Sequence, residues 1–553
     1  MNSTNSTRSG YMRVSHWSAA CAAVVAALTI GAGACTDPTV APKSTVTGAN
    51  FFADPSAYQQ VLAKIYAGLA VGGQSGGDGS TDISGIDGGF SQYMRLYWEM
   101  EELPTDEAVI AWGDQTLPEM NTQGWSASNT FVNAMYYRVY FQVQMVNEFL
   151  RQTTDAALAS RGVSAPLKAK IHTYRAEARF MRALSYWHGL DFFGGIPLAT
   201  ENDALGANPP AQVTRTQLYN YVVGELTAIR DSLPVSGVAP DPATYGRATK
   251  GAADMLLAEL YLNAGVYTGV PDYADALTSA QNVISSGLYS LNPVYRNNFT
   301  ADNNNSPEII FAVAEDGQHT QTYGSTNFII HASCGNSMNP GNYGVDGCWY
   351  GLRMKPSAFR LYNAGDSRGS TMDTLAADGQ TIAIPSISSF GNGIPNPKFT
   401  NKTSAGATGS NPAFADTDFP MFRLAEAYLI YVEAHLRSGG GTDANALNYF
   451  NALRVRAYGD SSAVDTSIAE ITLDTVLAER GRELMWEAHR RTDLVRYGLF
   501  AGPLSGNYVW AWKGANAYGT DSTGMATDAH LNLYPIPANE LIANPKVKQN
   551  TGY

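Results

Sequence analysis

Four acids stand close together at Glu101, Glu102, Asp106 and Glu107, and two cysteines, Cys334 and Cys348, lie 348 − 334 = 14 residues apart in a Gly/Asn-rich stretch. Paired carboxylates about 5–9 Å apart across a cleft are what glycoside hydrolysis requires. Acids adjacent in sequence, however, are common and usually solvated. Gly73-Gln74-Ser75-Gly76-Gly77 satisfies G-x-S-x-G, but a nucleophile elbow needs a strand before the serine and a helix after it. Here a helical pattern precedes and more glycine follows. No H-e-x-x-H zinc-protease pattern occurs. In an oxidising compartment the cysteine pair would close its loop; two free thiols are the alternative. A zinc site would need two ligands besides the cysteines, and His331 supplies one. Asn303-Asn304-Asn305 and the Asp78/Asp82/Asp87 loop offer oxygens without EF-hand spacing. Neither a metal nor a cofactor is expected.

Composition narrows the class. The 553 residues carry 36 Lys and Arg against 49 Asp and Glu, a formal charge of −13, with no basic stripe for nucleic acid. Aromatics reach 11%, with 31 Tyr and 9 Trp, which argues against disorder. Flat aromatic faces suit the C–H faces of sugar rings.

The elements that must position such groups are mostly helical. Residues 1–34 read as an export signal: Arg8 and Arg13, then a short apolar run ending in small residues. Ala32-Gly33-Ala34-Cys35 resembles a lipobox, making Cys35 the expected lipidated residue; an ordinary signal peptide is the alternative. Residues 35–50 form a polar tether. No later run is apolar enough to span a membrane. Helical spacing recurs at 58–71, 128–150, 166–191, 214–232, 248–264, 272–286, 423–436, 443–457 and 474–497. From 288 to 415 that periodicity fades into Gly, Asn, Ser and Thr, with one short strand at Ile309–Val313. The expected organisation is an N-terminal helical scaffold (51–287), a loop-rich lobe (288–415) and a C-terminal scaffold with tail (416–553). The fold class is all-α, with stacked helical pairs of the tetratricopeptide kind.

Five segments carry a resemblance to the SusD/RagB-like nutrient-binding outer-membrane lipoproteins. They are Glu177–Ala183 continuing to Gly194-Gly195-Ile196-Pro197-Leu198; Gly246–Ala253 with Leu256–Leu262; Arg423–Leu429; Glu479–Leu484 with His489–Arg496; and the tail, Tyr534-Pro535-Ile536-Pro537 to Tyr553. Ala488 stands where that family often has Gly, and Thr492 where Trp or Phe is common; Ala488 is expected simply to favour helix. Glu483, Glu487 and Arg491 are expected on one face of a continuous helix, as scaffold.

The resemblance implies a non-catalytic, lipid-anchored outer-membrane protein facing the cell exterior. It implies partnership with a SusC-like TonB-dependent transporter and a ligand that is most often an oligosaccharide. It also points to ligand contacts. The stretch after Thr105-Asp106-Glu107, from Tyr97-Trp98 to Trp125, resembles a sugar-stacking segment, which nominates Trp112 with Asp114 and Gln115. The cysteine loop nominates Trp349 first and Tyr350 second, with Tyr323 and Phe328 contributing. Trp510 and Trp512 are alternative exposed aromatics or part of a partner surface. Two other functions remain in view, a protein-interaction scaffold without a ligand site and a secreted glycan hydrolase.

Overall fold

The computed structural model describes residues 51–553, apart from 75, 78, 205, 207, 208, 370–379, 439 and 503–507. The signal segment, Cys35, the tether, Ser75 and Asp78 lie outside the described residues. Residues 55–553 form one unit by their contacts.

Helix dominates that unit. The N-terminal scaffold contains α1 (Ala57–Ala70), α2 (Tyr93–Glu102), α3 (Thr130–Gln152), α4 (Ala165–Phe193), α5 (Arg215–Ile229), α6 (Lys250–Leu262) and α7 (Tyr273–Ser285). Side-chain caps start several of them: Asn129 accepts from the amides of Phe131 and Val132, and Thr214 and Gln217 form a reciprocal capping box. α4 packs on both α3 and α5, and α7 on α6. The C-terminal scaffold adds α9 (Leu424–Ser438), α10 (Asp443–Tyr458), α11 (Leu473–Glu483) and α12 (Arg490–Arg496), with α9 lying against α7 and α10. The all-α expectation is met, and among the described residues between 288 and 415 the one longer helix is α8 (Ser325–Ala332).

Two short antiparallel pairs tie the loop-rich region to the scaffolds. β1 (Ala108–Ile110) pairs with β3 (Leu352–Met354), setting Ala108 opposite Met354 and Ile110 opposite Leu352. β2 (Ile309–Val313) pairs with β4 (Phe419–Arg423) through an irregular register. Each pair joins residues far apart in sequence.

α2 is a helix that the spacing does not reveal. All ten residues are buried, Arg95, Glu99, Glu101 and Glu102 included, so there is no polar face to give a stripe. Tyr97 and Trp98 are therefore core residues. Trp125 is buried too, its indole donating to Tyr553 Oη at 2.7 Å. The tail is fastened at the same place: Tyr534 Oη donates to Met100 O and Asn550 Nδ2 to both Tyr534 O and Phe193 O.

The continuous helix expected over 474–497 is broken. α11 stops at Glu483, Trp486 and Ala488 take left-handed φ values of 62° and 64°, and α12 begins at Arg490. Ala488 thus does not favour helix here. The freed backbone groups find partners on and just after α2: Glu102 Oε1 accepts from Ala488 N at 2.7 Å, Glu107 Oε2 from Trp486 N at 3.2 Å, and Trp98 Nε1 donates to Trp486 O at 3.0 Å. Satisfied hydrogen bonds in a buried setting offset the left-handed strain. Glu483 and Glu487 do serve the scaffold, gathered around the Arg423 guanidinium. Trp510 and Trp512, expected at the surface, are buried; Trp512 Nε1 donates to Ile384 O and Lys513 Nζ sits 4.1 Å from the Trp510 ring.

Candidate functional site

The β1–β3 ladder continues one step past its strands, Ala111 N donating to Gly351 O at 2.9 Å, and this delivers Trp112 beside the cysteine loop. Lys355, just after β3, holds the approach rigid. Its buried ammonium donates to the carbonyls of Leu103, Thr105 and Asn121, and burial pushes its pKa down to about 7. The Asn121 side chain in turn pairs with both backbone groups of Ile110.

Trp112 donates its indole N–H to Trp349 O at 2.9 Å, with the ring centroids 6.4 Å apart and the planes at 45°. Tyr323 meets Trp349 edge-on, at 5.6 Å and 88°. Close approach needs glycine at two points. A Cβ on Gly351 would lie 2.8 Å from the Trp112 ring, and one on Gly77 2.9 Å from Tyr323.

The Trp349 loop folds back onto α8. A Cys334–Cys348 disulfide closes it, and Trp349 N, Tyr350 N and Gly351 N donate to the carbonyls of His331, Cys334 and Ala332. The His331 ring lies parallel to Trp349 at 4.5 Å and 21°. Its Nδ1 sits 2.8 Å from Gly347 O, so Nδ1 carries the proton and donates; burial holds the imidazole below its usual pKa.

Beneath the rings lies Phe328, fully buried, 5.8 Å from Trp112 and 5.6 Å from Trp98. The Arg95 guanidinium is held between the Phe90 and Phe328 rings, 4.3 Å from each. Arg95 Nε donates to Glu99 and Nη1 to the carbonyls of Gly89 and Tyr323, while the buried Nη2 has no partner. Burial raises the Glu99 pKa to about 7 against the pull of Arg95.

These groups line a cleft of about 610 Å³ whose walls include Phe90, Arg95, Trp112, Asp114, Tyr323, His331, Asp346 and Trp349. Half-buried rings at steep mutual angles, edged by the exposed carboxylates of Asp87, Asp114 and Asp346, can stack on successive faces of a bent chain while accepting from its hydroxyls.

Of the residues nominated from sequence, Trp112, Asp114, Tyr323 and Trp349 are brought to this cleft. Phe328 is its floor and not its surface. Gln115 is exposed at φ 46° beside the cleft without lining it, its carbonyl accepting from Tyr518 Oη at 3.5 Å. Tyr350 points the other way, onto Phe390 at 5.6 Å, and remains 48% exposed. Tyr350 takes a left-handed φ of 55°, which turns the chain at that residue, so Trp349 and Tyr350 do not share a wall. Arg95 was not singled out in the sequence, and His331 was weighed there only as a zinc ligand; neither was nominated for the cleft.

The four clustered acids are all spent on scaffold contacts, with Asp106 and Glu107 both close to Arg490. Glu101 accepts from Thr492, Glu102 from Ala488, Asp106 pairs with Arg490 and Glu107 accepts from Trp486, all buried.

Comparison with known proteins agrees with this architecture. A sequence profile described as the SusD family matches residues 376–553. The chain is 33% identical to the starch-binding protein SusD of Bacteroides thetaiotaomicron, over 96% of this chain and 98% of that one. It is 23% identical to a SusD-like protein of Bacteroides ovatus, over 95% and 90%. Among solved structures, surface glycan-binding protein A from Bacteroides fluxus superposes with a TM-score of 0.67 at 22% identity, covering 90% of this chain and 99% of that one. The Bacteroides thetaiotaomicron protein of the same name, in complex with laminarihexaose, gives 0.66 at 20%, covering 89% and 98%.

Proposed function

This chain belongs to the SusD family, and from that premise we propose that its aromatic cleft binds an α-linked glucan of the starch type. Family membership makes the protein a non-catalytic nutrient-binding component at the cell surface, anchored by lipid in the outer membrane and working with a SusC-like TonB-dependent transporter. No helix among the described residues is long and apolar enough to cross a membrane.

The observation that carries the ligand reading is the angle between the rings. Trp112 and Trp349 are inclined at 45° and Tyr323 stands at 88° to Trp349. A flat, ribbon-like β-1,4 chain presents coplanar sugar faces and could stack on only one of these rings at a time. A chain that turns from one residue to the next presents a fresh face to each. The starch-binding relative, aligned over nearly its whole length, supports the same choice.

In this reading Trp349, Trp112 and Tyr323 stack on sugar faces. Asp114 accepts from hydroxyls. Each stacking contact contributes about 1 kcal/mol, so micromolar or weaker affinity is expected. Electrophoresis of the lipid-free protein through starch-containing native gels tests this. Retardation that disappears in Trp349→Ala supports the reading, and wild-type mobility identical with and without starch refutes it.

A further inference from the structure

A second pocket lies outside the aromatic cleft and shares none of its lining residues. It measures about 290 Å³, and its walls include four cations, Arg296, Arg368, Lys398 and Arg456, over the rings of Tyr295 and Phe299. Among the described residues no carboxylate lines it. Exposed Pro293 and Val294 form its edge.

Cations gathered in one pocket are usually explained by acids behind them, and three of these are. Arg368 is fully buried and spread over Asp366, Glu479 and Glu483. Lys398 donates to Glu487 and to the carbonyls of Glu483 and Met485. Arg456 pairs through its two terminal nitrogens with Glu308 and Glu483. The same acids also serve Arg423 and Arg482.

Arg296 is different. Its one hydrogen bond among the described residues runs from Nη2 to Pro397 O at 3.1 Å, and no described carboxylate lies within salt-bridge distance. Burial holds its pKa below the ordinary value with no acid to offset the loss. Adding Arg296, the network holds Arg296, Arg368, Lys398, Arg423, Arg456 and Arg482 against Asp366, Glu308, Glu479, Glu483 and Glu487. Among the described residues one positive charge is left over, and Arg296 lines the cavity.

A half-buried cation without a counter-charge is costly, and an anionic ligand in the pocket would relieve it. We propose that this pocket is an anion site, taking a carboxylate or sulfate group whose oxygens accept from the Arg296 guanidinium. Guanidinium is suited to such oxyanions because its planar donors match two oxygens at once. The apolar edge and the two rings leave room for a small body behind the charged group, as in a uronic acid or a sulfated sugar, so the site would read an acidic substituent that the cleft does not.

Arg296 is the position to vary. It has no acid partner, so Arg296→Ala orphans no carboxylate and leaves the fold intact, which its circular dichroism and melting temperature in chloride buffer will report. Wild type and variant are titrated with sodium sulfate, sodium glucuronate and neutral glucose at constant ionic strength, by calorimetry and thermal shift.

The expected result is saturable binding of both anions, with a dissociation constant on the order of 1 mM. The variant should bind at least about tenfold more weakly, glucose should not bind there, and Trp349→Ala should leave anion binding unchanged. Sulfate binding without glucuronate binding identifies inorganic anion as the occupant and overturns the sugar-acid extension. A stabilisation that never saturates, or that is equal in Arg296→Ala, marks an adventitious ion only and overturns the site itself.

Discussion

The indole N–H of Trp112 donates to the backbone carbonyl of Trp349 at 2.9 Å. A ring delivered by the β1–β3 ladder is thereby fixed to a ring carried on a disulfide loop. Neither aromatic is placed alone, and the pair is held at a 45° inclination, the geometry on which the proposed glucan binding rests.

Trp112→Phe keeps an aromatic face but removes that donor. The lost hydrogen bond is worth about 0.5–1.5 kcal/mol, so glucan affinity should fall several-fold, well beyond what the smaller ring alone explains. A double-mutant cycle with Trp349→Phe, read by calorimetry, should show non-additivity. Strict additivity would mean that the two rings are positioned independently.

Opening the Cys334–Cys348 bridge should loosen Trp349, which directly follows Cys348. A 15-residue loop corresponds to about 3 kcal/mol in the chain-entropy picture. Cys334→Ala/Cys348→Ala should lower the melting temperature by several degrees and weaken glucan binding, while the Trp112 fluorescence environment changes with it. Unchanged affinity in a destabilised variant would show that the hydrogen bonds to His331, Cys334 and Ala332 suffice to hold the loop.

Ala488 sits at φ 64° between α11 and α12. Left-handed backbone costs an L-residue about 1–2 kcal/mol, which glycine avoids at some expense in chain entropy. Ala488→Gly should therefore stabilise the protein by about 0.5–1 kcal/mol in chemical denaturation, with ligand affinity intact. A loss of stability would mean that the turn is held without strain.

Stability should fall toward both ends of the pH scale. Burial raises Glu99 and Glu107 to about 7 each, and Glu101, beside Asp191, to about 8. Unfolded glutamate titrates near about 4.3, so the folded state keeps protons that the unfolded chain releases. That contribution is complete below the unfolded value and is lost as pH rises through about 7–8. On the acid side, burial alone would raise Asp493, but Arg480 and Arg496 outweigh it and hold it low; Arg368 and Arg482 do the same for Glu479. Their contribution is present above about pH 4 and is lost below it. Melting temperatures from pH 3 to 9 should peak between these limbs. Glu107→Gln should flatten the alkaline limb, and an unaltered alkaline limb would assign it to other groups.

The scaffold was legible where burial is one-sided. α1, α3, α7 and α10 leave polar faces, and their spacing locates them to within about two residues of the observed ends. α2 was not legible, because a helix buried on every side has no stripe. The break at 484–489 was not legible either: Ala488 favours helix locally, and what overrides it are Glu102 and Glu107, nearly 400 residues away in sequence. In the cleft, sequence could nominate aromatics but not their direction. Trp349 and Tyr350 are adjacent, and only the loop's path sends one into the cleft and the other onto Phe390. Arg95 could not be singled out, since its role comes from being clamped between Phe90 and Phe328 with one nitrogen left over.

The most direct test is calorimetric titration of the lipid-free protein with an α-1,4-linked glucose heptamer, beside the β-1,4- and β-1,3-linked chains of similar length. Selective, saturable binding of the α-linked chain, abolished in Trp112→Ala/Trp349→Ala without loss of fold, is the predicted result. Equal or stronger binding of a β-linked chain, or undiminished binding by the folded double variant, would contradict the assignment of this cleft to starch-type glucan.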